Sequence, residues 1–285
     1  MVYSFTATPD EILANHQAVV EKARRSSSLI FLVEDDAHFK LVKKSIIAKN
    51  YECFVVESRK NVDQCLMMFK RCGVSVLGLI DDDGRGYSGI ENDDLIFKTD
   101  YWDGEASVLM TSIFGNFLED FLEGIQLDAS TFLNEIIKAA AKVGTLRKAA
   151  LNSNYAAKFE GVNFSDCIEI NVTRNAGDRN LAFSIHLVES RLEALISPPR
   201  HDPTGKTRFN LALEEIRGQI KKGKIELRNL CHGKDLLKII ELCGMSILPM
   251  GTTSEAKFAL YRQFSPRLLN ELRFLRDMDA AASEF

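Results

Sequence analysis

The sequence predicts an α/β protein in which a parallel-sheet domain is followed by a mostly helical C-terminal domain. Three observations lead there. Between residues 28 and 98, short apolar runs of strand length alternate with amphipathic stretches, the pattern of parallel strands joined by crossover helices. From about Glu105 onward helical periodicity dominates, interrupted by two strand-like segments. The composition, 46% hydrophobic and 27% charged over 285 residues, is that of a globular chain long enough for two domains.

The elements follow in order. Thr8, Pro9, Asp10 and Glu11 form a helix start, with Thr as N-cap, Pro in the first turn and acids behind it, and the helix runs to about Arg25. Ser28 to Val33 reads as a buried strand. Ala37 to Lys49 reads as a helix with Phe39, Val42, Ile46 and Ile47 on one face. Tyr51 to Val56 is a second strand, Asn61 to Cys72 an amphipathic helix, Val74 to Ile80 a third strand and Leu95 to Lys98 a fourth. Later helices are expected over 106–122, 130–152, 206–221, 234–242, 254–263 and 266–282, with strands over 167–172 and 181–187. The expected organisation is an N-terminal helix over 1–27, a sheet domain over 28–115 and a mostly helical domain over 116–285. Ser197 to Lys206, which holds three of the six prolines, is the best linker candidate.

Composition excludes several classes. With 6 Pro and 17 Gly the chain is neither low-complexity nor collagenous, and a formal charge of −4 excludes a polycationic nucleic-acid binder while leaving room for a local basic groove. The six cysteines never approach Cys-x-x-Cys spacing, so they read as reduced thiols rather than a zinc or redox site. No basic patch precedes an apolar run at the N-terminus, and no apolar run is long enough for a bilayer. The expectation is therefore a cytoplasmic protein with no membrane role.

The informative feature is where acids fall. Glu34, Asp35 and Asp36 follow the first strand directly, and Asp81, Asp82 and Asp83 follow the third. In a parallel sheet the carboxyl ends of neighbouring strands open into one crevice, so both sets can face a single site. Crowded carboxylates repel one another unless a cation intervenes, which favours Mg2+ or Mn2+. Either set alone is equally compatible with helix capping; the two together favour the metal.

Two families share this pattern. Residues 31–39 and 79–89 resemble a response-regulator receiver domain, in which acids after the first strand accompany a phosphorylatable Asp after the third, here Asp81. That family also needs a hydroxyl residue after strand four and a Lys-Pro after strand five. Thr99 comes early after Asp81, and the sequence contains no Lys-Pro.

The second resemblance covers more of the chain. Val33-Glu34, Asp81-x-Asp83 and the stretch from Leu95 to Glu105 resemble the DUF4435 group of toprim-like proteins, and 142–147, 158–164 and 230–237 are similar to that family's later motifs. Two positions depart from the pattern: Asp35 replaces the usual Gly, and Gly233-Lys234-Asp235 stands where Gly-His-Asp is common. The resemblance implies a toprim-like catalytic domain and a metal-dependent phosphodiester nuclease. Members include the effector subunit of the PARIS anti-phage defence system, which works beside an ABC-type ATPase and attacks transfer RNA. On this reading Glu34, Asp81, Asp83 and Asp100 hold Mg2+ or Mn2+, while Glu34, Asp81, Asp83, Asp103 and Glu105 form the catalytic set. The implied partners are an ABC-type ATPase, an RNA (tRNA) substrate and a second copy in an active homodimer. A receiver-like phosphoacceptor and a catalytically inactive interaction subunit are the alternatives.

Basic residues cluster at Lys142, Arg147 and Lys148, at Arg200, Lys206 and Arg208, and from Lys221 to Arg228. RNA-contact candidates are Arg147, Lys221, Lys222, Lys224, His232 and Lys234, the last two in the loop before a helix, where His232 is also a candidate cap. Trp102 is a candidate wall of the acidic site. Gly205-Lys206-Thr207 is not a phosphate loop, because Arg200 stands where the required upstream Gly would be.

Overall fold

The computed structural model describes residues 11, 14, 17–48, 50–83, 95–122, 126–173, 181–197, 202–247 and 259–284. The predicted cap at Thr8 and Pro9, the glycine-containing stretch after Asp83, Arg200 and the first half of the helix expected over 254–263 lie outside these residues.

The chain forms two units, one of residues 1–111 together with 260–285, the other of residues 112–259. The first is built on helix α1 (Gln17–Ser26), strand β1 (Leu29–Val33), helix α2 (Asp36–Ser45), strand β2 (Tyr51–Val55), helix α3 (Arg59–Arg71), strands β3 (Val76–Ile80) and β4 (Ile96–Lys98), and helix α4 (Gly104–Leu109). All strands are parallel, in the order β2-β1-β3-β4. β1 is central, with Val33 opposite Val55 on one side and Leu79 on the other. Every residue of β1 and β3 is buried, which is why both read as unbroken apolar runs: helices cover both faces. Ile30 and Leu32 meet Val62, Leu66 and Phe69 of α3 together with Val20 and Ala23 of α1. On the other face Phe31 packs edge-on to Tyr51, whose ring lies under Lys43 of α2. Helix α2 stops at Ser45, because Ile46 turns extended, so Ile47 lies beyond the helix and is exposed rather than on its apolar face.

The last residues return to this unit. A 3-10 turn (Pro266–Asn270) and helix α10 (Arg273–Ser283) replace the single helix expected over 266–282. Phe274, Leu275, Met278 and Ala282 make the buried stripe of α10. Three contacts tie the segment down. Lys44 donates to the Tyr261 carbonyl at 2.8 Å, Asp279 accepts from the Ile47 and Ala48 amides, and Asp100 accepts from the Arg273 and Phe274 amides. The division therefore differs from the sequential one expected: periodicity shows that a stripe will be buried, and only packing decides against what.

The second unit comprises α5 (Ser112–Leu122), α6 (Ala129–Ser153), the antiparallel hairpin β5 (Ile168–Thr173) and β6 (Ala182–Leu187), α7 (Glu189–Ile196), α8 (Pro203–Lys221) and α9 (Gly233–Ile247). The helix expected over 106–122 breaks at Met110 and Thr111, where the Thr111 hydroxyl donates to the Val108 carbonyl. Asp202 caps α8 through the Gly205 amide, so Pro203 opens a helix and the proline-rich stretch lies inside this unit rather than between units. Helix α6 is the hub, buried along most of its length, with Phe132 against Phe183 of the hairpin.

The three later motifs meet here. A Cβ on Gly144 would stand 1.6 Å from the Leu230 carbonyl oxygen, so only glycine lets α6 approach that turn. Arg147 pairs with the buried Asp235 of α9 at 2.7 and 2.9 Å and lies 4.3 Å from the centre of the Phe159 ring. These residues form a structural joint, and Arg147 is committed to it.

Candidate metal centre

The site grows from the register of β1 and β3. Because Val33 pairs with Leu79, the residues that follow emerge side by side, and the Asp81 amide donates to Glu34 Oε2 at 3.2 Å. Asp35 caps α2 by accepting from the His38 amide at 2.9 Å, which sets His38 in the first helical turn at the strand ends. The imidazole is only 1% exposed. Its Nδ1 lies 3.1 Å from Asp35 Oδ1 and its Nε2 3.0 Å from Asp81 Oδ1, both off the line of a good hydrogen bond. Donor atoms of Asp35, His38 and Asp81 all lie within 4.8 Å of one another.

The loop after β4 closes the arrangement. Asp103 caps α4 by accepting from the Ala106 amide at 2.7 Å, and the Gly104 amide donates to Asp81 Oδ1 at 3.2 Å. A Cβ on Gly104 would come within 3.2 Å of His38 Cδ2 and Nε2, so the bare backbone is the wall against which the ring rests. Glu105 is buried beside this group, 4% exposed. Asp83 takes a left-handed backbone, φ 53°, and its amide donates to the Trp102 carbonyl at 3.0 Å. Trp102 is itself core, 4% exposed.

Electrostatics bind these groups into one unit. Burial raises the Glu34 carboxyl above the usual 4.5, and Asp81 and Asp83 push it further, against the Asp81 amide and His38. Glu105 is raised chiefly by burial, then by Asp35 and Asp81. Burial works against a charged His38, but Asp81 and Asp35 overcome it and hold the imidazole well above its usual 6.5. Tyr261 belongs to the same surroundings: burial, Glu105, Asp35 and Asp36 all raise its phenol, and Lys40 lies 4.6 Å from its ring centre.

Of the residues read from the sequence, Glu34, Asp81, Asp83 and Glu105 come together at the strand ends. Asp100 does not join them as a ligand: both its oxygens cap α10. Asp103 serves as the cap of α4. His38 was missed, although Asp35 followed three residues later by His is the signal that puts both on one helical turn. Tyr261 carries no local signal at all. In the second unit Lys221, Lys222, Lys224 and Lys234 are exposed, while the His232 carbonyl accepts from the Asp235 and Leu236 amides at the start of α9. Lys206 pairs with Glu193 in the first turns of α8. All six cysteines are free, with Cys53 and Cys243 pushed by burial to about 12, as unreactive thiols. Among the described residues no helix is long and apolar enough to cross a membrane. No protein-family model matches the chain, and no curated protein matches it either.

Proposed function

We propose that this chain is a metal-dependent phosphodiesterase of the nuclease type, working at the carboxyl end of the parallel sheet. One observation carries the reading: Glu34 and Asp35 after β1, Asp81 and Asp83 after β3, and Glu105 in the first turn of α4 share one neighbourhood with the buried imidazole of His38. One imidazolium leaves the carboxylates in excess: Glu34 and Glu105 are raised first by burial and then by their acidic neighbours, Asp81 and Asp83 at Glu34, Asp35 and Asp81 at Glu105. The donor set suits a divalent cation: Asp35 and Asp81 already offer oxygens within 4.8 Å of each other, and Glu34 and Asp83 are the neighbouring carboxylates that would complete its hold. Such an ion would shield the charge that develops on phosphoryl oxygens during phosphodiester cleavage.

The chain's own residues supply the rest. Glu34, with a carboxyl raised by burial and fixed through Oε2 by the Asp81 amide, can hold and return a proton at its other oxygen. His38 keeps the Asp35 and Asp81 oxygens in place, and Gly104 sets the ring. Buried Glu105 raises the local negative potential. To this the family resemblance adds RNA, tRNA above all, as substrate, an ABC-type ATPase as the partner that releases the activity, and a cytoplasmic homodimer as the active state.

The test combines Mn2+ titration calorimetry with cleavage of labelled RNA and DNA in Mg2+ or Mn2+. Glu34→Gln and Asp83→Asn should still melt in a cooperative transition and lose at least about 100-fold in metal affinity or cleavage. Normal cleavage by either variant removes the proposal.

One observation favours a second reading, a phosphoacceptor of receiver type. Thr99 does follow β4 directly, and the order β2-β1-β3-β4 brings it beside Asp81 and Asp82. Its hydroxyl, however, accepts from the Asp82 amide and donates to the Tyr101 carbonyl, so it is engaged with backbone. Acyl phosphate at Asp81 after treatment with acetyl phosphate would select this reading over the first.

A further inference from the structure

In the second unit a cavity of about 300 Å3 opens between α6, β6, the first turn of α7, α8 and the 3-10 turn Leu227–Leu230. Its lining combines the apolar Ile185, Ile220 and Leu227 with the cations Lys138, Lys142 and Arg217 and one acid, Glu189. Lys138 is paired with Glu135, and Arg217 with Glu189 and Glu214. Lys142 makes no ion pair among the described residues.

The rim continues the charge. Ile220 is followed by Lys221, Lys222 and Lys224, and Leu227 by Arg228. All four cations are exposed and without an ion pair among the described residues, and Glu226 is the acid among them. Gly223, at φ 67°, turns the chain after α8, so Lys221, Lys222 and Lys224 all lie in the short stretch between Ile220 and Leu227, two residues that line the cavity. Cations there also offset the α8 dipole, which accounts for Lys221 and Lys222 but not for Lys142 on another helix across the cavity.

We infer that this groove binds a single strand of nucleic acid, phosphates on Lys142, Lys221 and Lys224, and one base against the apolar Ile185, Ile220 and Leu227. The inference rests on the phosphodiesterase reading and names where that substrate is gripped. An acidic crevice repels phosphates, so the chain needs a basic surface elsewhere, and apolar side chains beside cations suit alternating bases and phosphates better than an acidic peptide. The cavity is at the small end of ligand sites, sized for one base rather than a folded partner.

The experiment is fluorescence anisotropy with labelled oligouridylate and oligothymidylate on the full chain in EDTA, across a salt series. Working without metal separates the two readings, because anisotropy in EDTA reports binding at the groove whether or not the chain cleaves. Lys142→Glu with Lys221→Glu and Lys224→Glu should weaken binding at least about tenfold at about 0.1 M salt and make the salt slope shallower by about 2. Glu189→Gln, which removes the groove's acid, should tighten binding about two- to threefold, while Lys60→Glu on the first unit changes nothing. Dependence of either probe on these residues supports the groove, and the tighter probe names the source. Equal slopes in parent and triple variant overturn it. So does displacement of the probe by polyglutamate of the same length, which would mark an acidic protein as the partner.

Discussion

At Glu34 the carboxyl is half-buried and raised above 4.5, and at Glu105 the same holds with deeper burial. Unfolded carboxyls lose their protons near 4.5, so above that pH the folded chain holds protons the unfolded chain has released, and stability falls as pH rises through the raised folded values. His38 acts in the same direction from a higher start, its contribution complete below 6.5 and lost as pH rises through its folded value. Asp128 and Glu135, whose values are lowered, work oppositely and only as pH falls through the ordinary carboxylate range. The metal-free protein should therefore melt at progressively lower temperature from weakly acid to alkaline solution. Glu34→Gln should flatten the acid end of that curve, and Mn2+ should raise the melting temperature most at the alkaline end. Identical melting curves for parent and Glu34→Gln across the series would show that Glu34 is an ordinary solvated acid.

Among the elements, α10 shows how one carboxylate can be read two ways. Asp100 stands in an acidic stretch after β4 and is raised by burial, yet the Arg273 and Phe274 amides hold it at 2.6 and 3.3 Å. A capping role gives Asp100→Ala a loss of about 1 kcal/mol in stability with Mn2+ affinity unchanged, and Asp100→Asn should restore most of that loss. Calorimetry on both variants checks it, since a ligand would lose affinity in each. Asp103 and Asp35 show the same local chemistry at α4 and α2, with a different outcome for Asp35. The cap at α2 also faces His38, so capping and site membership coincide in one residue.

For the molecule as a whole, the first unit is assembled from the two ends of the chain. Burying Leu268, Phe274, Leu275 and Met278 at about 1.5–3 kcal/mol each is comparable to the whole stability of a domain, about 5–15 kcal/mol. A chain ending at Ala259 should lose the thermal transition of the first unit and its metal binding while the second unit still melts cooperatively. Two intact transitions in that shortened chain would mean the units divide in sequence order after all. Much of this architecture is legible in order. The strands from β1 to β4 and the acids behind β1 and β3 were readable because apolar runs and strand-end positions are local properties of the chain. The hairpin β5–β6 was readable for the same reason. His38 needed the cap geometry of Asp35 before its side chain could be placed. Tyr261 and the role of Asp100 depended on a segment more than 150 residues away. Local pattern determined which stretches are strands, which helices, and where negative charge collects. Only tertiary packing decided which carboxylates share a neighbourhood, which are spent on helix caps, and that Arg147 belongs to Asp235, because those choices turn on which surfaces bury one another across distant parts of the chain.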